Sequence, residues 1–131
     1  MPLGLCDRKF TVDGQLMYDV SPDPVAPWMP EFCGNTTLVN GELLPYLDVQ
    51  PALYRFRVLN GSNAQFFNPS LSNSQQFVQI GTDQGLFPAP VSAKIVSLAP
   101  GERTDLAVDF GGSGDQQVTL KIGPVEEIMQ F

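Results

Sequence analysis

The side chains able to do chemistry in this 131-residue chain are two cysteines, four methionines and fourteen carboxylates; histidine is absent. Without an imidazole, the Ser-His-Asp and Cys-His routes to an activated nucleophile are closed. A soft-ligand copper(I) site could draw on Cys6, Cys33, Met17, Met29 and Met129, but their positions along the chain have no ligand-like spacing. Carboxylate pairs are available at Glu126-Glu127 and at Asp105 with Asp109. Residues four apart on a strand share a face, so Asp105 and Asp109 read as solvated side chains rather than as a general acid and base. Gly111-Gly112-Ser113-Gly114 has the composition of a phosphate loop, but it lacks the lysine, the following helix and the glycine spacing. Asn35-Thr36-Thr37 and Asn60-Gly61-Ser62 match the glycosylation sequon, and both also suit turns.

These residues must be positioned by strands. Tyr54-Arg55-Phe56-Arg57-Val58 alternates, with Tyr54, Phe56 and Val58 on one face and the two arginines on the other. That period of two predicts a half-buried strand, limited by Pro51 before it and by Asn60-Gly61-Ser62-Asn63 after it. After the Pro100-Gly101 turn a second alternating stretch follows. Thr104, Leu106, Val108 and Phe110 point one way, and Arg103, Asp105 and Asp109 the other. If the two are sheet neighbours, Arg55 and Arg57 pair with Asp105 and Asp109.

Further strands are predicted over 3–12, 15–18, 35–39, 42–44, 46–49, 65–71, 77–82, 95–98 and 118–122, with 95–98 and 103–110 as a pair. Asp13-Gly14 and Asn40-Gly41 are hairpin signals, and Pro69 confines its segment to a sheet edge. Residues 86–91 read as irregular, 111–115 as a loop tip and 126–131 as a tail. Many short strands with turn signals about every ten residues predict an all-β sandwich or barrel. Pro22, Pro24, Pro27 and Pro30 exclude a helix from the loop 19–34. On that loop Trp28 either marks a contact surface or folds back as a plug over the barrel end; the plug is the preferred reading for an isolated domain.

Composition closes other classes. The net charge is −7 with seven basic residues, and no basic cluster exceeds Arg8-Lys9, so there is no footprint for nucleic acid. No apolar run approaches the roughly 20 residues needed to span a bilayer. Met1-Pro2-Leu3-Gly4-Leu5 is too short and uncharged to read as a signal peptide. Cys6 reads as a small core hydrophobe and Cys33 as a loop residue, and no disulfide between them is expected.

Tyr54-Arg55-Phe56-Arg57-Val58-Leu59-Asn60-Gly61-Ser62-Asn63-Ala64-Gln65-Phe66-Phe67, Phe77-Val78-Gln79-Ile80-Gly81-Thr82-Asp83-Gln84-Gly85-Leu86-Phe87-Pro88-Ala89-Pro90-Val91 and Leu98-Ala99-Pro100-Gly101-Glu102-Arg103-Thr104-Asp105-Leu106-Ala107-Val108-Asp109-Phe110 carry a resemblance. Together with the stretches from Pro2 to Asp19 and from Glu31 to Val49, they resemble the second, middle cupredoxin-like domain of bacterial multicopper oxidases, the laccase and bilirubin-oxidase group. The resemblance covers nearly the whole chain in the family's order. It implies a copper-free, Greek-key cupredoxin-like β-sandwich over residues 1–131, excised from a three-domain enzyme whose first and third domains hold the copper. A cupredoxin copper site takes two histidines and a cysteine with a weak axial methionine, and this chain cannot supply it. The resemblance also implies that Pro30, Phe32, Cys33 and Gly34 belong to a segment reaching toward the rim of the substrate site in the parent enzyme; the equal alternative for Phe32 and Cys33 is plain packing within the loop. Some members pair that cysteine with another near the domain's end; here the end reads Leu120-Lys121-Ile122-Gly123-Pro124-Val125, with no cysteine.

The expected function is a non-catalytic linking domain. Its parent would couple one-electron oxidation of organic or metal reductants to reduction of dioxygen to water, with copper in the parent and none in this chain. Its partners are the flanking copper-bearing domains, with self-association when isolated and an extracytoplasmic or cell-envelope location in a bacterium. The alternative is a free-standing β-sandwich module binding carbohydrate or protein through Trp28, Phe32 and Tyr46.

Overall fold

In the computed structural model, which describes residues 1–112, 114 and 116–131, the chain forms two β-sheets packed around one core. The strands are β1 (Pro2–Phe10), β2 (Leu16–Met17), β3 (Thr36–Val39), β4 (Leu53–Asn60), β5 (Pro69–Leu71), β6 (Phe77–Thr82), β7 (Gly85–Ala93), β8 (Arg103–Asp109), β9 (Thr119–Ile122) and β10 (Glu126–Gln130). The larger sheet runs β2-β1-β4-β8-β6-β7, with β3 also paired to β1, and the smaller runs β10-β9-β5. No helix occurs among the described residues.

β4 and β8 are the antiparallel centre, with Phe56 opposite Leu106, Val58 opposite Thr104 and Tyr54 opposite Val108. Their inward residues are buried as the alternation predicts, and they meet Leu71, Leu120, Ile122 and Ile128 from the smaller sheet. Tyr54, Phe56, Phe110 and Phe131 form an aromatic cluster, with Phe110 and Phe131 ring centroids 5.2 Å apart. Such pairs add about 0.5–1.5 kcal/mol beyond the area they bury. On the outer face Arg55 Nη2 lies 2.5 Å from Asp105 Oδ2, and Arg57 Nε lies 3.7 Å from Asp105 Oδ1. Asp109 takes no part; it lies opposite Leu53, and its Oδ1 accepts the Gly111 N–H at 2.8 Å. Both arginines are largely solvated, so these pairs are worth about 0.2–1 kcal/mol at most.

Several elements differ from the sequence expectation. Residues 85–93 form a full edge strand rather than an irregular segment: Pro88 and Pro90, which cannot donate to a ladder, sit on a strand with β6 on one side only. Residues 126–130 are a strand rather than a tail, paired with β9 across a bulge between Glu127 and Met129. Segments 42–44 and 46–49 make only isolated bridges, Val39 to Glu42 and Tyr46 to Gln130. The stretch 95–98 does not pair with β8, whose two edges are taken by β4 and β6; Leu98 bridges Phe67 instead. Pro69 does open an edge strand. The parallel pairing of β1 with β4, from Pro2 beside Arg57 to Leu5 beside Asn60, has no local signal in the sequence.

Asn60 locks the end of β4. It is fully buried; its Nδ2 donates to the carbonyls of Gln65 (2.8 Å) and Leu98 (2.9 Å), and its Oδ1 accepts from Ser62 N (2.9 Å) and Ser62 Oγ (2.5 Å). With both amide protons and the oxygen occupied, Asn60 acts as a corner residue and not as a glycan acceptor.

Candidate functional site

The loop 19–34 leaves the sheet after β2 and returns over β1. Its start is tied by Lys9, whose Nζ lies 2.8 and 2.6 Å from the two Asp19 carboxylate oxygens. The Tyr18 hydroxyl donates to the Met29 carbonyl at 3.1 Å and accepts the Met29 N–H at 3.2 Å. The Tyr18 ring packs on Phe32 with centroids 4.6 Å apart. Inside the loop, Ser21 N–H donates to Pro27 O at 3.0 Å, which folds the proline-rich stretch into a closed turn. At the far end Gly34 N–H donates to Asp7, a buried carboxylate on β1, and Asn35 N–H donates to Arg8 O at 3.0 Å.

Four named residues of this loop therefore have definite settings. Pro30 and Cys33 are exposed, while Phe32 and Gly34 are half-buried. Cys33 Sγ lies 3.6 Å from the Glu31 carbonyl, with its thiol as donor. Trp28 is 61% exposed, so it does not plug the barrel end. Tyr18 holds both backbone groups of the adjacent Met29 and keeps Trp28 outside, while the core is already filled by the Phe56, Phe110 and Phe131 cluster. With Tyr18, Val20 and Val25 also exposed, the loop presents an apolar outer surface. Tyr46, the third aromatic contact candidate, is exposed as well but belongs to a different segment, beside the end of β10.

Sequence reasoning missed Tyr18 and Asp7, the two residues that fix the loop. A tyrosine at the mouth of a proline-rich loop offered one signal. A charge at an inward position of β1, between Leu5 and the loop, offered another.

The donor set does not fit a cupredoxin copper centre. There is no histidine, and the soft donors do not converge. Cys6 is half-buried on β1, against the expectation of a core position, Cys33 is exposed on the loop, Met129 lies in the core and Met17 is on the surface. Both cysteines are free. Among the described residues no three Cys, Asp or Glu side chains gather as a metal site. The candidate carboxylates do not pair either: Glu126 and Glu127 are exposed on β10, and Asp105 is engaged by Arg55. Among the described residues the thiols and carboxylates thus offer no assembled catalytic group, and what the loop offers is a shaped, apolar contact surface.

No protein-family model matches the chain. It is 44% identical over 126 residues to a laccase of Bacillus subtilis (strain 168), covering 92% of this chain and 25% of that protein. It is 38% identical over 128 residues to cell division protein FtsP of Xenorhabdus nematophila, covering 98% of this chain and 25% of that protein. Among solved structures, the 2F4 variant of the McoA multicopper oxidase from Aquifex aeolicus superposes with a TM-score of 0.86 at 35% identity, over 100% of this chain and 31% of that one. The chain thus spans about a quarter of the length of the curated relatives it matches.

Proposed function

The chain is a cupredoxin-like domain of the multicopper oxidase family, and from that premise we propose that it is the family's middle domain, holding no copper of its own and setting the spacing and angle of copper-bearing neighbours. The observation that carries this reading is the pairing of a complete cupredoxin-like sandwich with a sequence that contains no histidine. A histidine-dependent copper ligand set has then to come from other domains. The whole protein would take electrons singly from organic or metal reductants and pass them to dioxygen, at an extracytoplasmic or cell-envelope site in a bacterium. The loop 19–34 would face a neighbouring domain, with Pro30, Phe32, Cys33 and Gly34 contributing part of the substrate rim. Its fixed path, held by Tyr18 and Asp7, suits a wall that must not move between turnovers. Where no neighbouring domain covers that surface, self-association through Val25 and Trp28 follows.

A chimera tests the spacing role. The matching segment of the Bacillus subtilis laccase is replaced by residues 1–131 of this chain. If the role is right, the hybrid takes up copper and keeps oxidase activity within about an order of magnitude, since spacing enters the rate through geometry. A folded, copper-loaded hybrid without turnover overturns it.

A second reading has its own support. FtsP shares the domain at 38% identity and is named for cell division rather than oxidation, and Trp28 and Tyr46 stand exposed in this chain. A binding module for a protein or carbohydrate would use those aromatics. Loss of partner capture on Trp28→Ala, in a protein whose neighbouring domains hold no copper, favours this reading over the first.

A further inference from the structure

We propose that the cleft between β5, β9 and the segment after β7 is a binding site for a small oxyanion, phosphate or sulfate, free or as a monoester. The cleft is open, about 470 Å³ in volume; its polar side chains are Asn68, Ser70, Ser72, Ser74, Lys94 and Lys121, set beside the apolar Leu71, Ile95 and Pro124, and no carboxylate is in its wall. Acidic residues outnumber basic ones fourteen to seven in this chain, so an unpaired lysine is the unusual case. Lys9, Arg55, Arg57 and Arg103 each pair with an aspartate, and Arg8 donates to the Asp7 carbonyl at 2.7 Å. Among the described residues, the two cations left without such partners are Lys94 and Lys121, and both face this one cleft. Glu127 lies opposite Lys121 on β10 and forms no ion pair with it.

The polar groups of the cleft are donors. Asn68 Oδ1 is already used, accepting the Ser97 hydroxyl at 2.6 Å, which leaves its amide protons. Ser72 Oγ accepts the Thr119 N–H at 2.9 Å, which leaves its hydroxyl proton. Ser70, the register partner of Lys121 across β5 and β9, and Ser74 add two more hydroxyls. Ammonium groups with hydroxyl and amide donors match the several acceptor oxygens and the charge of a phosphate or sulfate, with Glu127, across from Lys121 on the same face, as the one neighbouring carboxylate. The net charge of −7 repels extended polyanions, so the ligand is a small anion and not a nucleic acid.

The test is a ¹H–¹⁵N correlation titration of the 131-residue chain with inorganic phosphate, inorganic sulfate and glycerol 3-phosphate, at ionic strength held constant with sodium chloride. The site predicts saturable shifts confined to the amides of residues 68–74, 94–95 and 119–123. Lys94→Gln and Lys121→Gln each weaken binding about tenfold, as loss of a charge-assisted hydrogen bond implies, while Lys9→Gln leaves it unchanged. Saturation by all three anions assigns an ester-tolerant site, and saturation by the inorganic ions alone assigns a free-anion site. Shifts that never saturate, that chloride reproduces, or that survive the Lys94→Gln/Lys121→Gln double variant overturn the proposal.

Discussion

The buried carboxylate of Asp7 on β1 accepts the backbone N–H of Gly34 as the proline-rich loop comes back onto the sheet. The two backbones are so close there that a Cβ on Gly34 would sit 2.5 Å from the N, C and O atoms of Arg8. Glycine is required at this point by contact, not by an unusual φ. Gly34→Ala therefore lifts the loop's end off β1. The expected cost is about 1–3 kcal/mol, the range for forcing an added methyl group into a packed site, read as a lower urea midpoint at unchanged slope. An unchanged midpoint would mean that the loop is not seated on β1 as described.

Asn60 gives a second, separate prediction. Its amide bonds two carbonyls and a serine at the corner where β4 ends. Asn60→Ala removes one of the two hydrogen bonds at each carbonyl, since Gln65 O keeps Ser62 Oγ and Leu98 O keeps the Phe67 N–H, and it strips the Ser62 N–H of its acceptor, at roughly 1–3 kcal/mol. Thermal unfolding of the variant checks this. A variant as stable as the parent chain would contradict the corner assignment.

The contrast between Asn60 and β7 shows what could be read from the sequence. The central strands were legible because Tyr54 to Val58 alternates without interruption and Thr104 to Phe110 alternates except at Ala107, which is buried between β4 and β6. The Arg55 to Asp105 pair followed from that alternation plus adjacency. β7 was not legible, because Leu86-Phe87-Pro88-Ala89-Pro90-Val91 contains two prolines and most of it stays exposed, so neither periodicity nor propensity marks it. β10 was hidden because Glu126-Glu127-Ile128-Met129 breaks alternation at the bulge. At the site, the loop's composition located it, while its fastening by Tyr18 and Asp7 depends on contacts distant along the chain. The cleft at Lys94 and Lys121 depends on the same kind of contact, since its lysines are 27 residues apart in sequence.

Asp13 supplies the pH prediction. Its carboxyl is held below the ordinary 3.8, chiefly by the Thr11 hydroxyl and then by its own backbone N–H, with Gln15 adding a smaller contribution. A carboxylate with a depressed folded-state pKa stabilises the fold above its unfolded value, and that contribution is lost as pH falls through the folded value. Because Asp13 is fully exposed, the effect is local to the turn between β1 and β2. An NMR titration should find the Asp13 midpoint below 3.8, rising on Thr11→Ala. A midpoint that ignores the substitution would remove the Thr11 bond as the cause.

Copper titration of the 131-residue chain, followed by visible absorption and electron paramagnetic resonance, tests the central claim most directly. With no histidine to complete a two-His, one-Cys site, the chain should show no intense blue thiolate-to-copper band and only the resonance of loosely bound copper that a chelator removes. A stable blue centre with narrow copper hyperfine splitting in this polypeptide would contradict the account.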